Sequence, residues 1–445
     1  MKENNNNDYP KVLVISHNPF STKQNNGKTL SAFFEGWPKD KIAQLFLTLD
    51  EIDTTICENY FRISDVDVFK NVINKNRISG KKIDIGDLNN VNKDKEKEAK
   101  GKIYSIARDL TRRKNIFIWW LRTLMWKKSK PWKSIEFINW LKEFSPDIVF
   151  FQSSNFYTIF NMVQDIVEMT NSNLYIETTD DYVTPRFTLN ILTYIKDKKM
   201  EKYYKKLVDK SECVFAIGEK MAQEYKNRFG GNYEIAMNSI DVNSKVKEYL
   251  SDSNSRVLTY AGNLGLNRWK ILYKLGKILN KLNTENSIQS KLIICSLNVP
   301  SKKVMKKFKR IDCIEYKGAL NSKQLVELRN NSDVLVHVEA FDKKNKKITR
   351  LSISTKIPEY MLSKRCILAI GPSDVASIDY INSNEIGMVI TNNNKEIWVE
   401  NLKSVLYNDE IRYSYIDRAY KLALKNHMYG NNKKKVQMKI INKEK

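Results

Sequence analysis

The chain has 445 residues, 42% of them hydrophobic, which allows two domains with real cores and does not call for a third. Lysine and arginine number 76 against 51 acidic residues, a net charge of +25, so anionic ligands, lipids or nucleic acid are the classes of partner such a surface attracts. No apolar run is long enough to span a bilayer, and the polar start MKENNNNDYP has no signal-like stretch, so a reduced, cytoplasmic protein is expected.

In chain order, residues 11–16 (KVLVIS) read as a buried strand from their continuous apolar character. Residues 17–29 (HNPFSTKQNNGKT) read as a loop, with Asn26 and Gly27 just before a helix expected from about Leu30. Glycine there lets the backbone approach a ligand that Lys28 and Thr29 can face; a plain surface turn is the alternative. Residues 42–49 form a second strand. From residue 61 to 102 the chain is charged and asparagine-rich, and a solvated or mobile insertion is expected at about 70–102. Residues 103–133 carry four tryptophans among nine lysines or arginines. This pattern suits a helix in a lipid interface; a core helix with snorkelling cations, or an RNA-binding patch, are the alternatives.

A strand at 147–151 leads into Gln152, Ser153, Ser154 and Asn155, and a strand at 174–177 leads into Thr178, Thr179, Asp180 and Asp181. Open sheets place ligand groups at such strand ends, though both aspartates could simply cap a helix. Residues 191–212 predict a very basic helix, 213–217 a strand, 219–230 a helix and 234–237 a last strand. Residues 238–255 read as a polar hinge. The pattern then restarts at 256–261 (RVLTYA), with Gly262, Asn263 and Gly265 turning into a helix near Arg268. Strands follow at 291–295, 314–316, 334–338, 366–370 and 387–390. Glu339 stands at the end of VLVHV, and 342–350 read as a basic loop. Ser354, Thr355 and Lys356 lead into Pro358 and Glu359, a helix start whose free amides, at Ile357 and Glu359, favour a phosphate. Residues 395–430 look helical and 431–445 form a basic tail. The five cysteines, Cys57, Cys213, Cys295, Cys313 and Cys366, are scattered, and no pair has metal-ligand spacing, so neither a metal nor a tightly bound cofactor is expected.

Two successive open α/β units thus follow one another, residues 9–240 and 241–430, and a terminal helix could return to the first. YAGNLGLNR (260–268), DVLVHVEAF (333–341) and STKIPEYMLSKRCILAIGPSDVAS (354–377) resemble a known group, the GT-B-type glycosyltransferases of the retaining family four. The NNGKT loop and EKMAQEY (219–225) add a weaker likeness. The resemblance implies an α/β GT-B fold, two Rossmann-like open parallel-sheet domains facing across a cleft. It implies an enzyme that moves a sugar, most simply a hexose with retention, from a UDP- or GDP-sugar to a glycan or lipid-linked acceptor. By resemblance, Asn26 and Gly27 line the donor side, Gly262 and Asn263 approach the diphosphate, and Arg268 is its cationic partner. Ser354, Thr355 and Lys356 flank the phosphates, and Glu359 holds the ribose hydroxyls. Asp180 or Asp181 serves the acceptor. The family's pair of glutamates, separated by seven residues, is broken: its first member falls at Leu351, and Glu339 is the expected substitute. Asn263 stands where many relatives carry arginine. The expected setting is a bacterial capsule or lipopolysaccharide pathway, on the inner face of an anionic membrane and without nucleic acid. A nucleotide-sugar 2-epimerase of the same fold, or an inactive binding partner, are the rival readings.

Overall fold

The structure, a computed structural model of the chain, describes residues 9–21, 25–73, 80–84, 116–185, 189–239, 248–249 and 254–442. Two compact units emerge: Met1–Ala236 with Lys433–Lys445, and Met237–Asn432. Most of the insertion expected at 70–102, residues 103–115 of the aromatic-basic segment and most of the expected hinge lie outside the described residues.

The first unit is built on β1 (Val12–Ser16), β2 (Ile42–Phe46), β3 (Asn59–Arg62), β4 (Lys81–Ile83), β5 (Ile148–Gln152), β6 (Asn173–Thr178), β7 (Ser211–Ala216) and β8 (Tyr233–Ile235). Their spatial order is β4-β3-β2-β1-β5-β6-β7-β8. Every pairing is parallel except β3 with β4. VLVIS and IVFFQ are buried at every position, as central strands of a parallel sheet require. Strands β3 and β4 fall in sequence read as solvated. Only β4 is at the edge, and its Lys81 and Lys82 are the kind of residue an edge tolerates; β3 is short but paired on both sides and mostly buried.

The helix Asn25–Phe34 begins five residues before the position expected from sequence. Gly27 therefore lies inside its first turn and not in an open loop. A Cβ there would sit 2.3 Å from the Pro19 carbonyl oxygen, so the glycine lets the chain after β1 cross the helix closely. Within the aromatic-basic segment the tryptophans differ in their surroundings. In the helix Ile116–Ser129, Trp126 is fully buried and its indole N–H donates to Asp65 at 2.6 Å. Arg122 donates to the same carboxylate oxygen at 2.8 Å. Trp132 is buried with its indole on Asp165, and Trp119 packs against Phe156 and Tyr157. Trp126 and Trp132 are core because each indole N–H finds a carboxylate within the fold, whereas Trp119 is half-buried.

The second unit holds β9 (Ser255–Ala261), β10 (Gln289–Cys295), β11 (Ile314–Gly318), β12 (Val334–Val338), β13 (Cys366–Ile370) and β14 (Met388–Ile390). All pair in parallel in the order β11-β10-β9-β12-β13-β14. Residues read as a basic loop form the helix Lys343–Thr349, started by Asp342 accepting from the Asn345 amide at 3.1 Å. The expected tail is a helix too, Tyr429–Ile441. Its Val436 and Ile440, one turn apart, are buried in the core of the first unit. All five cysteines are buried and unbridged, and burial pushes the Cys57 thiol up to about 12.

Trp126→Ala is expected to destabilise the first unit by about 3–5 kcal/mol, the cost of an emptied aromatic site. Urea denaturation reads it, and a loss below about 1 kcal/mol would contradict the core placement.

Candidate functional site

In each sheet the chain runs outward in both directions from one strand, and the loops on either side of that reversal diverge. Ligands of open α/β sheets bind there, beyond the carboxyl ends of the strands. In the second unit the reversal lies between β9 and β12. Strand β9 ends at Ala261, and Gly262 follows. A Cβ on Gly262 would lie 2.8 Å from the Tyr260 hydroxyl, which donates to the Asn263 carbonyl at 2.7 Å. The Asn263 side chain accepts from the Gly265 amide at 2.7 Å, so it shapes the turn where a ligand contact was expected. Leu266 and Asn267 then hold φ of 53° and 60°, two left-handed residues without glycine. That conformation is costly and is tolerated where neighbours fix it, as the Asn267 amide does on Asp342 at 3.0 Å.

The strained turn delivers Arg268 as the first residue of the helix Arg268–Glu285. Its Nη2 donates to both carboxylate oxygens of Glu339, at 2.8 and 3.0 Å. Glu339 follows β12, is 3% exposed, and donates its amide to the Ile370 carbonyl at 2.8 Å. It is therefore a buried ion-pair partner and not a group at a rim. A Cβ on Gly371 would come 2.9 Å from the Glu339 Cβ, so only glycine leaves Glu339 its place. His337, on the same face of β12, lies 3.0 Å from the Ser377 hydroxyl and 3.7 Å from Glu339. Burial pulls its imidazole down to about 4, so it is neutral.

Lys356 and Glu359 also meet, at 3.2 Å, on the helix Lys356–Leu362. Arg329, at the end of the helix Ser322–Asn330, donates to the same Glu359 oxygen at 2.5 Å. Glu359 is thus an oriented carboxylate held by two cations. The helix amides expected to cradle a phosphate are partly spent: Lys356 N–H donates to the Ser354 hydroxyl and Ile357 N–H to the Ser354 carbonyl. Ser354 closes the turn, Thr355 makes no side-chain cap bond, and the side chains of Lys356 and Arg329 carry the positive charge. Leu351 is fully buried.

In the first unit the reversal lies between β1 and β5. The loop after β1 is pinned to β2 by Gln44, which accepts from the Phe20 amide at 2.9 Å and donates to the Ser16 hydroxyl at 2.8 Å. A cavity of about 160 Å³ opens at these strand ends, lined by His17, Arg122, Gln152, Ser153, Phe156 and Tyr182 among others. Arg122 lies 4.0 Å from the Phe156 ring centre and is neutralised by Asp65. Burial, then the Arg122 charge, lowers the His17 pKa, so His17 is neutral as well. Beneath the cavity, Gln152 in β5 is paired in register with Glu177 in β6 and donates to its Oε2 at 2.8 Å. Gln152 Oε1, Glu177 Oε1 and the Ser153 and Ser154 hydroxyls are buried with no hydrogen-bond partner among the described residues. A larger concavity, about 580 Å³, is lined by Tyr175, Glu234, Lys435 and Lys439, where Glu234 already takes both lysines; no strand-end loop reaches it.

Of the residues singled out from sequence, the fold brings together Arg268 with Glu339, and Lys356 with Glu359. Asp181 is taken up inside the first unit, accepting from the Tyr225 hydroxyl at 2.7 Å and the Thr184 amide at 3.0 Å. Asp180 is exposed and accepts from the Tyr182 hydroxyl at 3.0 Å. Sequence reading missed Arg329, His337, His17 and Glu177. The strand-end positions of His17 and Glu177 were the only signal for them. Among the described residues no group of three or more His, Cys, Asp or Glu side chains is arranged to hold a metal ion.

Burial pushes the Glu177 carboxyl up to about 7 from 4.5. One proton on its free oxygen would also supply a donor beside the orphaned Gln152 oxygen. Below pH 4.5 the folded and unfolded states are both protonated and the group contributes no pH dependence. Between pH 4.5 and about 7 only the folded state keeps the proton, so stability falls as pH rises through that window. The loss amounts to on the order of 3 kcal/mol. Glu177→Gln is expected to flatten this slope and to be the more stable protein at pH 8, measured by urea titration across the window. An unchanged slope would mean that Glu177 is ionised in the fold. Separately, Gly371→Ala is expected to displace Glu339 and lower melting by several degrees, with Gly371→Ser no better tolerated.

Neither a family model nor a curated protein matches the chain. Solved structures do, over almost its whole length. Sucrose-phosphate synthase from Thermosynechococcus elongatus is 10% identical, with a TM-score of 0.61 and coverage of 97% of this chain and 98% of its own. Trehalose 6-phosphate synthase from Burkholderia multivorans is 7% identical, with a TM-score of 0.61 and coverage of 98% and 99%. Anabaena HepE, in complex with UDP and glucose, is 12% identical, with a TM-score of 0.57 and coverage of 96% and 98%. At such identities the likeness is one of architecture, and with the two Rossmann-like, mostly parallel sheets it establishes that the chain has the GT-B fold.

Proposed function

We propose that this protein is a glycosyltransferase that moves a hexose, with retention, from a UDP- or GDP-sugar to a glycan or lipid-linked acceptor. The observation that carries the reading is two charged clusters in the second unit: Arg268 on Glu339 just after β12, and Lys356 and Arg329 on Glu359. Solved proteins of the same fold include one holding UDP and glucose. In this reading Glu359, fixed by Arg329 and Lys356, accepts from the ribose hydroxyls. Lys356 and Arg268 face the diphosphate, with Gly262, Asn263, Ser354 and Thr355 bounding its place.

During transfer the bond between the anomeric carbon and the phosphate oxygen breaks, and negative charge collects on the departing diphosphate. Lys356 and Arg268 stabilise that charge, which is greater in the transition state than in the bound donor. Glu339 holds Arg268 in position. The acceptor oxygen bonds to the anomeric carbon and gives up its proton, for which exposed Asp180 is the proposed acceptor-side carboxylate. The orphaned groups of Gln152 and Ser153 and neutral His17 are suited to an uncharged, hydroxyl-rich acceptor. No metal and no tightly bound cofactor enter the scheme. The acceptor side is placed at an anionic membrane, in capsule or lipopolysaccharide assembly on its inner face.

Calorimetry with UDP and GDP is expected to show one of them binding, and Glu359→Gln weakening it at least tenfold. Lys356→Ala and Arg268→Ala are each expected to lower turnover on the order of 10²-fold, with melting of Lys356→Ala unchanged. Turnover unaffected in both variants would overturn the assignment. Retained nucleotide binding without any transfer or donor hydrolysis would favour an inactive binding partner, and conversion of the free nucleotide sugar would favour the epimerase.

A further inference from the structure

The helix Ile116–Ser129 buries Thr123 and Trp126 and leaves a different set of apolar side chains outside. Phe117 is 68% exposed, Leu121 48% and Leu124 62%. The spacing of three and four residues puts them on one stripe of the helix. The helix Ile191–Lys210 lies alongside. Trp120 donates its indole N–H to the Leu192 carbonyl at 3.4 Å, and Lys199 sits 4.6 Å from the Trp120 ring centre. The start of that second helix is apolar and outward as well: Leu189 is 94% exposed, Ile191 67% and Tyr194 48%. Two neighbouring elements of one unit therefore present apolar side chains to solvent, on a protein whose remaining large apolar residues are mostly buried.

Charge decides what such a surface meets. The first helix carries Arg122, Lys127 and Lys128 and no acidic residue, and exposed Lys130 follows it. The second carries seven lysines against three carboxylates. Apolar side chains rimmed by cations match the two layers of an anionic bilayer surface: acyl chain and glycerol level for Leu121, Leu124 and Ile191, head-group phosphates for the lysines. A protein partner would call for acidic side chains around an apolar patch, and a second copy of this chain would set lysine against lysine. No helix among the described residues is long and apolar enough to cross a membrane, so contact would be at the surface.

We infer that the face formed by Ile116–Ser129 and the start of Ile191–Lys210 is a docking surface for an anionic membrane, seated by Leu121, Leu124 and Ile191 and steered by the lysines around them. The inference gives residues to the membrane side of the proposed function and rests on that reading, yet its test needs no donor and no turnover. It also moves the lipid contact away from Trp126, which lies in the core, to the aliphatic stripe on the opposite side of the same helix.

The test is flotation of the full chain with vesicles of phosphatidylcholine alone and of phosphatidylcholine with 30 mol% phosphatidylglycerol (roughly the anionic content that sustains a negative surface potential), at low and high salt. The wild type is expected to float with the anionic vesicles and to be released by salt. Leu121→Ser/Leu124→Ser and Ile191→Ser are each expected to lower binding at least tenfold with melting and nucleotide binding unchanged, since the replaced side chains are exposed. Wild type that stays unbound, binds both vesicles alike, or floats as well when the leucines are replaced would overturn the inference. So would concentration-dependent dimerisation, by sedimentation, that the leucine variant abolishes. If vesicles bind but no transfer occurs, the docking surface stands and the enzymatic reading falls; transfer without vesicle binding gives the converse.

Discussion

A guanidinium–carboxylate pair, half-buried Arg268 with buried Glu339, fixes the strand-end site of the second unit. Such a pair is a poor device for stability. Desolvating both ions offsets most of their attraction, and well-packed apolar residues would serve a core as well or better. Its surroundings are costly too: two left-handed residues precede Arg268, and a glycine with no room for a Cβ stands against Glu339. Three unfavourable features meeting at one sheet reversal are accounted for if the pair's position, and not its energy, is what matters. Neutral His337 keeps a third charge away from the carboxylate, so the guanidinium is held by one partner and remains a directed cation.

The same logic separates what was legible in the sequence from what was not. Parallel central strands declare themselves, because burial on both faces forces continuous apolar runs such as VLVIS, IVFFQ and VLVHV. Glycine turns after such strands are also readable, and one led to Gly262. Edge strand β4 was not, since solvent contact permits the charged residues that mimic a loop, and β3 was too short, at four residues, to declare itself. The helical character of the C-terminal tail was hidden for a related reason: Val436, Ile440 and Ile441 are the apolar residues in a lysine-rich stretch that pack it on the first unit's core.

Side-chain partnership was the larger gap. Sequence placed Glu359 and Lys356 together by simple proximity, but nothing local announces that Arg329, thirty positions earlier, closes on the same carboxylate. Asp181 looked as available as Asp180, and only the fold shows Tyr225 consuming it. Trp126 misled for a physical reason. Indole is amphipathic, and it serves equally at a lipid interface and in a core that offers a carboxylate. Asp65, which decides for Trp126, lies 61 residues away.

The two strand-end sites differ in electrostatic character, and the difference bears on what each can hold. In the second unit the cations outnumber the carboxylates around Glu359, and both Lys356 and Arg329 are partly exposed, so an anionic ligand gains where it meets them. In the first unit three ionisable groups at or beneath the cavity bring little charge to it: Arg122 is paired with Asp65, and burial lowers the His17 pKa and raises that of Glu177 to about 7. What remains are buried oxygens and hydroxyls lacking partners, a demand that water or a polyol meets and a phosphate does not. A protein of net charge +25 could easily have made both sites cationic. That Arg122, His17 and Glu177 are neutralised at one of them, at the expense of a desolvated carboxyl, fits the proposed division between an anionic donor at one sheet and an uncharged, hydroxyl-bearing acceptor at the other.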